Sequence, residues 1–411
     1  MALGNQLRAR AYIRQAIDRP AIPPVPMVVI VPLLDESDVF DDSLHYFKEF
    51  VARAQAELYF VTSDREFTIN QPGSARDTVR LAARAAAQGY VVHIHLSDAA
   101  AHKSDQVNFA ASVAARQQRP ADDCLVVVYD VDSRPEAGSL HAFRSAAAKY
   151  RWVNVFHQSA RFEMRMTPQT FDERIADAGA LRANRFVLSM ELPRLLARRP
   201  DAGRLRSLLA RWTYGKVTGH GLCVRLPFLL QVPLPARRPV EDMHWSFVLA
   251  ARGEPVVPIS CFDRSDVPDR TIQQFFQMER WFLGPARAVT YARDPLVPPG
   301  PPRVVLILGA LAESAEWLSA VFAVPVVVYS AVGKSGPLRT LFRVLSVIVL
   351  AELVTAEAIL GEGHLARRLQ RIALYPFAVT GFGAAGWLSL INRAIARPQH
   401  HKTEHTFEAG G

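Results

Sequence analysis

Cysteine is scarce in this 411-residue chain, and Cys124, Cys223 and Cys261 lie far apart with no CxxC pair. This spacing excludes a disulfide scaffold and a structural zinc finger, and it favours a reducing compartment. No cleavable signal peptide is expected, because arginines interrupt the first 20 residues. Charged residues make up only 21% of the chain and hydrophobic residues 50%, which excludes a disordered chain and suggests a membrane part.

Lysine is also scarce, so nearly all of the 48 basic residues are arginine, and the net charge is +9. The chain lacks helix-turn-helix, zinc-finger and RNP patterns, and nucleic acid is therefore not an expected partner. Arginine forks suit diphosphates and anionic headgroups. A solvated, arginine-rich surface explains the excess equally well.

Short apolar runs alternate with helical stretches after an N-terminal helix and a proline-rich linker, residues 1–26. Strands are predicted at 27–31, 58–62, 90–96 and 124–129, with helices at 44–56, 75–88 and 105–117 between them. This order is typical of an α/β domain with a parallel sheet that is covered on both faces. Ligands of such sheets bind at the carboxyl ends of the strands, so polar residues there are the candidates for function.

The last third of the chain contains three apolar stretches, at 304–332, 344–360 and 372–391. A bilayer core needs about 20 apolar residues per helix, so these stretches predict about three transmembrane helices. Basic residues flank all of them, and the positive-inside rule therefore does not fix the topology. Glu313 and Glu316 share one helical face. Pairing with arginines is favoured over a role in an acceptor path. The tail at 396–411 is expected to be disordered.

Asp130 and Asp132 stand two residues apart where the fourth strand ends, in the sequence DVDS. Both carboxylates can turn toward a ligand there, and hard cations such as Mg²⁺ or Mn²⁺ prefer oxygen ligands. A DxD pair occurs often by chance, so by itself it is a weak signal for a diphosphate-bound metal.

Two helical segments carry further candidates. Glu241 and Asp242 open a helix, where acids ordinarily favour the helix dipole but a carboxylate can also act as a general base. Gln277, Arg280 and Trp281 lie at i, i+3 and i+4 of a helix and share a face. They suit a diphosphate and a sugar ring, although membrane anchoring by Arg and Trp explains them as well.

The order of these pieces is more specific than any one of them. PLLDES, HKSDQVN, DVDS, GHG with Arg225, ED and QMERW follow one another before the apolar stretches. This order resembles the family 2 glycosyltransferases, in their membrane-integrated branch with cellulose, chitin and hyaluronan synthases and ceramide glucosyltransferase. The segments KVTGHGLCVR and EDMHWSFVLAARG look most like the ceramide glucosyltransferase type.

The resemblance implies a GT-A fold, a Rossmann-like sheet that binds a nucleotide-diphosphate sugar. The catalytic domain would span residues 27–270, interfacial helices with QxxRW 271–302, and a transmembrane region 303–395. The donor would be a nucleotide-diphosphate sugar, UDP-sugar by preference. The residues implied on the donor side are Leu34, Glu36, Asp64, Lys103, Asp130 and Arg280, with Asp132 and Asp130 on Mg²⁺ or Mn²⁺.

On the acceptor side, the resemblance implies Asp242 as the general base of an inverting transfer. Four further residues would border the acceptor together with Gly221, namely His220, Glu241, Gln277 and Trp281. For His220, a space-filling role in the loop competes with acceptor contact. VTSDRE departs from the family's DDGS, which leaves the alignment of Asp64 open.

Polymer-extruding synthases carry more membrane helices than the three expected here, so transfer of one or a few sugars to a lipid or lipid-linked acceptor is the leading hypothesis. Two alternatives are a processive polysaccharide synthase and a non-catalytic membrane scaffold on a GT-A fold. A nucleotidyltransferase is disfavoured, because PLLDES is not a glycine-rich triphosphate loop. We expect a multi-pass protein in the cell membrane with its catalytic domain in the cytoplasm. Gly381 and Ala385 suit close helix packing in a homo-oligomer.

Overall fold

The computed structural model describes residues 2–14, 25–69, 75–117, 124–164, 166–203, 217, 219–237 and 240–394. The proposed linker up to residue 24 and the tail from residue 395 lie outside these ranges. The ten strands are β1 (Met27–Pro32), β2 (Glu57–Ser63), β3 (Val92–Leu96), β4 (Leu125–Val128), β5 (Arg134–Pro135), β6 (Val155–His157), β7 (Ala160–Glu163), β8 (Leu222–Arg225), β9 (Val256–Pro258) and β10 (Asp263–Asp266).

The helices before the C-terminal third are α1 (Ala2–Ile13), α2 (Phe40–Ala54), α3 (Glu66–Ile69), α4 (Ala75–Ala87), α5 (Lys103–Gln117), α6 (Ser139–Lys149), α7 (Phe171–Phe186), α8 (Leu192–Ala197), α9 (Leu226–Gln231), α10 (Glu241–Arg252) and α11 (Thr271–Ala286). Those that follow are α12 (Ala288–Tyr291), α13 (Pro301–Ser319), α14 (Ala323–Val332), α15 (Pro337–Leu360) and α16 (Leu365–Ala394). A π-helical turn, Val187–Glu191, joins α7 to α8.

The main sheet has seven strands in the order β3-β2-β1-β4-β8-β6-β9. The four strands predicted from sequence form its parallel half, β3-β2-β1-β4, which confirms the α/β class. β8 then pairs antiparallel with both β4 and β6, so the sheet as a whole is mixed. Because the chain order reverses between β1 and β4, a crevice is expected at the carboxyl ends of these two strands.

Alternate residues of the central strands feed two separate cores, one on each face of the sheet. Val28, Ile30 and Val126 belong to one core with Trp245 of α10. Val29, Val31 and Val127 belong to the other, which includes Phe47 of α2 and Phe143 of α6. Burial on both faces explains why these strands read as continuous apolar runs. Cys124, Cys223 and Cys261 are buried free thiols in these cores.

A second, three-stranded sheet in the order β5-β10-β7 lies next to the end of β4. β5 begins at Arg134, directly after the DVDS segment, and pairs antiparallel with β10. This small sheet therefore fixes the loop that carries Asp130 and Asp132.

Two stretches are long and apolar enough to cross a membrane, Pro301–Val332 and Leu365–Arg393. Within the described residues, α15 is not among the stretches that are long and apolar enough to cross a membrane, although the sequence predicted a span there. Its buried Glu352 pairs with Arg185 of α7 at 2.5 Å, and Glu357 pairs with Arg371 of α16 at 2.7 Å. Glu313, at the centre of α13, lies 3.6 Å from Arg194. Ion pairing is therefore what the structure shows for this acidic residue.

Candidate active site

A cavity of about 1290 Å³ opens at the carboxyl ends of β1 and β4, where the strand order places a crevice. All but two of the residues singled out from the sequence line it, namely Leu34, Glu36, Lys103, Asp130, Asp132, His220, Glu241, Asp242, Gln277, Arg280 and Trp281. These residues come from six separate segments of the chain, and the fold brings them together.

Lys103 is the first residue of α5, and its Nζ contacts Oδ1 of Asp130. Burial lowers the pKa of Lys103, but the carboxylates of Asp130 and Glu241 outweigh burial and raise it. Burial likewise raises the pKa of Asp130, and the charges of Lys103 and His220 bring it below its usual value. Both groups are therefore ionised at neutral pH, with a cation already beside the carboxylate.

The carboxylate oxygens at the end of β4 suit a divalent cation whose remaining ligands come from phosphate oxygens and water. Asp130 and Asp132 line the same part of the cavity, and each contributes carboxylate oxygens. Mg²⁺ commonly takes only one or two protein carboxylates and completes its shell with phosphates and water. Within the described residues, no group of three or more His, Cys, Asp or Glu side chains is placed to hold a metal without such a ligand.

Asp242 occupies the first turn of α10, and its carboxylate is held by two backbone N–H groups. Gly219 donates to Oδ2 at 3.1 Å, and Met243 donates to Oδ1 at 2.7 Å. Ser246, one turn further along α10, exchanges hydrogen bonds with the backbone of Val217, accepting at 2.8 Å and donating at 3.0 Å. The helix and the loop that contains Val217 and Gly219 to Gly221, called the glycine loop below, are thus joined at two points, and the loop holds the carboxylate at the cavity wall.

Glu241 precedes Asp242 in the first turn of α10 and also lines the cavity. Burial and the neighbouring charge of Asp242 raise the pKa of Glu241 to about 7. Val240, just before this pair, adopts φ 60°, a region that β-branched residues rarely occupy. Such strain often accompanies functional sites, and here it lies beside two acidic side chains that line the cavity.

His220 lies in the glycine loop, and Asp263 of β10 is its partner. Nδ1 of His220 is 3.1 Å from Oδ2 of Asp263, whose side chain is fully buried. Burial lowers the pKa of His220, but the hydrogen bond and charge of Asp263 outweigh it and raise the pKa. Asp263 also accepts from Ser133 Oγ at 2.7 Å and from the Arg134 backbone N–H at 2.9 Å. One carboxylate therefore connects the DVDS loop and the glycine loop.

Sequence reasoning missed Asp263 because nothing in CFDRSD marks it. Its importance comes from three partners that lie 43 to 130 positions away in the chain. It also missed three cavity-lining arginines, Arg182, Arg287 and Arg393, since single arginines carry no signal in an arginine-rich chain.

Gln277, Arg280 and Trp281 lie on α11 and face the cavity together, as their spacing predicts. Trp281 also packs against Phe162 of β7, with ring centroids 6.5 Å apart. Beyond Trp281 the wall contains many apolar side chains from β7, α7, the π turn, α13 and α16, namely Phe162, Phe186, Val187, Met190, Trp317, Val379 and Phe382. Arg182, Arg185 and Glu313 line the same region. The cavity thus has a charged end near β4 and an end near α16 that mixes apolar and charged side chains.

Two residues singled out from the sequence do not line the cavity. Asp64 lies just after the end of β2, and its Oδ1 is within hydrogen-bond distance, 2.9 Å, of Nε2 of His95. Gly221 adopts φ +62°, and a Cβ there would lie 2.5 Å from the carbonyl oxygen of Gln158. In the glycine loop, Gly219 is the glycine that borders the cavity. A Cβ placed on Gly219 would lie 3.2 Å from Nζ of Lys103.

No protein-family profile matches the chain, and no curated protein sequence matches it. Among solved structures, the fold is similar to that of mannosyltransferase PcManGT from Pyrobaculum calidifontis, determined in complex with GDP-Man and Mn²⁺. The TM-score is 0.50 and the sequence identity 16%, and the match covers 97% of this chain and 96% of the mannosyltransferase. The mixed α/β architecture with its parallel-rich central sheet is therefore one that a glycosyltransferase also has.

Proposed function

We propose that this protein is a membrane-bound, inverting glycosyltransferase that moves a sugar from a nucleotide-diphosphate sugar to a lipid or lipid-linked acceptor. The observation that carries the proposal is the convergence of two groups of residues on one cavity. Asp130, Asp132 and Lys103 lie at the end of β4, and Asp242 and Arg280 come from separate helices. A metal-binding carboxylate pair, a separate base and a free cation are what sugar transfer from a diphosphate requires.

The donor is assigned to the charged end of the cavity. Leu34 and Glu36, after β1, would contact the nucleoside, with Asp64 further out beside β2. Lys103 and Arg280 would neutralise the diphosphate, and Asp130 and Asp132 would hold Mg²⁺ or Mn²⁺, which adds charge neutralisation at the leaving group. The motif pattern favours UDP, and the structural neighbour was solved with GDP-Man, so both nucleotides belong in a test.

The reaction follows from the positions of Asp242 and Arg280. The carboxylate of Asp242 accepts the proton of an acceptor hydroxyl, and the oxygen forms a bond to the anomeric carbon. The bond from that carbon to the diphosphate oxygen breaks on the opposite face, and the nucleoside diphosphate leaves with the electron pair. The Gly219 and Met243 N–H groups hold the base in place during transfer. His220, Glu241, Gln277 and Trp281 would border the acceptor, with Gly221 shaping their loop.

A membrane location is proposed from the surface of the C-terminal helices. Many of their large apolar side chains are exposed, including Val332 at 79% and Val347 at 66%. Exposed apolar surface on this scale marks a membrane or protein contact. It adjoins the end of the cavity near α16, where aromatic and aliphatic side chains would let a lipid chain enter from the bilayer. Multi-pass insertion with a cytoplasmic catalytic domain, where nucleotide sugars are made, completes the proposal.

The proposal is tested by measuring nucleoside diphosphate release from the protein in detergent. The assay would use UDP- and GDP-sugars with Mg²⁺ or Mn²⁺, with and without membrane lipid extract. Asp242→Asn is expected to lower the rate about 10²- to 10⁴-fold while leaving donor binding intact. Asp41→Asn is the matched control, because Asp41 also lies in the first turn of a helix but outside the cavity.

Each alternative has its own outcome in this assay. Metal-dependent release that needs lipid and is lost in Asp242→Asn supports single transfer to a lipid. Release without lipid, accompanied by a high-mass polymer, favours a processive polysaccharide synthase. Neither release nor donor binding with any sugar nucleotide favours a non-catalytic scaffold.

A further inference from the structure

We propose that Arg287 and Arg393 form a binding site for a phosphate group carried by the acceptor lipid. This inference rests on the proposed glycosyltransferase function and specifies its acceptor. It begins from the cavity itself, which both arginines line on the side of α11 and α16.

Arg287 lies about two helical turns beyond Arg280. Arg287 follows the last turn of α11, seven residues after Arg280, which places both on one helical face about 10 Å apart. Arg280 is assigned to the donor diphosphate. A second guanidinium two turns further along the same face therefore extends the positive lining beyond the donor, toward the acceptor.

The two arginines have no carboxylate partner among the described residues. Within the described residues, neither Arg287 nor Arg393 has a side-chain hydrogen bond or ion pair. Arg393 lies near enough to Arg287 for their charges to repel. Two other cavity arginines are paired with carboxylates, since Arg185 binds Glu352 and Arg237 binds Asp98 at 2.9 Å. The C-terminal turn of α16 favours a cation at Arg393, but it does not explain a second one at Arg287.

A buried tyrosine hydroxyl lies within electrostatic range of these arginines. Tyr291 is only 2% exposed, and its hydroxyl has no hydrogen-bond partner among the described residues. Its ring stacks on that of His244, two residues beyond Asp242, with centroids 4.6 Å apart. The hydroxyl lies within electrostatic range of Arg287, Arg393 and Asp242. A buried hydroxyl rarely lacks a partner, and an anion beside the two arginines would supply an acceptor.

Together these groups define the ligand chemically. A phosphate at Arg287 and Arg393 would lie close to the base, so the attacking oxygen would be on the phosphate or a few bonds from it. Two kinds of lipid share this chemistry: a phosphodiester lipid with a headgroup hydroxyl, and a polyprenyl phosphate whose own oxygen attacks. Neutral hydroxyl lipids, such as ceramide and diacylglycerol, have no group that uses the two arginines.

The test compares these lipids as acceptors for the full-length protein in detergent micelles. Phosphatidylglycerol, polyprenyl phosphate, ceramide and diacylglycerol are assayed with the active donor. Transfer to phosphatidylglycerol or to polyprenyl phosphate is expected, and whichever lipid is active identifies the source of the phosphate. Arg287→Gln and Arg393→Gln are each expected to raise the KM for that lipid about tenfold or more, since hydrogen bonds to charged groups contribute about 1.5–3 kcal/mol.

Three controls separate this inference from a structural effect. Arg293→Gln removes an exposed charge from the same segment, outside the cavity, and should leave the KM unchanged. Neither cavity substitution should lower the unfolding temperature, because each relieves repulsion between like charges. Arg287→Lys, which keeps the charge, should restore part of the affinity, and the KM for the donor should not change in any variant.

The outcomes distinguish the inference from the function beneath it. Equal transfer to ceramide or diacylglycerol, or an unchanged lipid KM in both glutamine variants, would overturn the phosphate site and leave the glycosyltransferase standing. No transfer to any lipid, and no release of nucleoside diphosphate, would remove the function itself.

Discussion

Nδ1 of His220 lies 3.1 Å from Oδ2 of Asp263, and this contact joins the loop of His220 to β10, 43 positions further along the chain. The same carboxylate accepts hydrogen bonds from Ser133 and from the Arg134 backbone. Because Asp263 is fully buried, water cannot replace it for any of the three donors. The loop that carries the DVDS acids and the loop that carries His220 therefore depend on one side chain.

Replacing this carboxylate should destabilise the protein. Asp263→Asn keeps the shape but turns one acceptor oxygen into a donor, which leaves Ser133 or His220 without its partner. The free energy of unfolding is expected to fall by about 1–3 kcal/mol. Urea unfolding followed by circular dichroism measures it. Ser265→Ala, on the same strand, should change the value by less than about 0.5 kcal/mol, and an equal effect of both substitutions would contradict the role of Asp263.

Removing the Lys103 ammonium should shift donor binding along the pH axis. Burial alone raises the pKa of Asp130, and Lys103 is the strongest of the groups that lower it. In Lys103→Gln the pKa of Asp130 rises, so the carboxylate becomes protonated at a higher pH. The acidic limb of Mn²⁺-dependent donor binding should therefore move to higher pH. Calorimetric titrations between pH 4 and 7 measure the limb. It should stay in place for Lys149→Gln, whose ammonium lies over the Tyr150 ring.

The raised pKa of Glu241, about 7, predicts how its neutral replacement affects stability. Between pH 4.5 and 7 the folded protein retains a proton that the unfolded chain releases, so this residue lowers stability as pH rises through that range. Glu241→Gln removes the cost of ionisation. The unfolding free energy of Glu241→Gln minus that of the native chain should therefore be about 1–3 kcal/mol larger at pH 8 than at pH 5.

Unfolding free energies of both proteins at the two pH values give this difference directly. Glu254→Gln serves as the control, since Glu254 follows the opposite end of α10, outside the cavity. A gain for Glu241→Gln that is the same at both pH values would mean that the proton does not reside on this side chain.

Two glycines with similar backbone angles provide a matched pair. Gly221 has φ +62° and its Cβ position lies 2.5 Å from the Gln158 carbonyl oxygen, whereas Gly253 has φ +71° and open space around it. Gly253→Ala should cost about 1 kcal/mol, from the backbone alone. Gly221→Ala should cost about 1–3 kcal/mol more, because the backbone must also move. Thermal unfolding distinguishes the two, and equal costs would show that the contact with Gln158 relaxes freely.

The parallel half of the sheet could be predicted because its information is local. Burial on both faces makes β1 and β4 apolar throughout, and the residues that follow them face the crevice for geometric reasons. The helical spacing of Gln277, Arg280 and Trp281 likewise fixes a shared face. For the same reason, eleven residues from the motif pattern line one cavity. Their individual roles stay predictions.

What the sequence did not show depends on contacts between distant segments. β8 and β10 are four residues long, and their pairing partners lie far away in the chain, so no periodicity reveals them. In the sequence, Glu352 interrupts an apolar stretch. In the structure it forms a buried ion pair with Arg185, 167 residues earlier in the chain. Asp263 and Arg287 belong to the site through position alone, which composition and spacing do not encode.

The unequal polarity of the two ends of the cavity has a consequence for how two unlike molecules meet. A nucleotide sugar would meet the charged groups of Lys103 and Asp130, whereas an alkyl chain would leave water beside Phe186, Trp281 and Phe382. Asp242 lines the same cavity, so one carboxylate would be within reach of both a strongly hydrated molecule and a lipid.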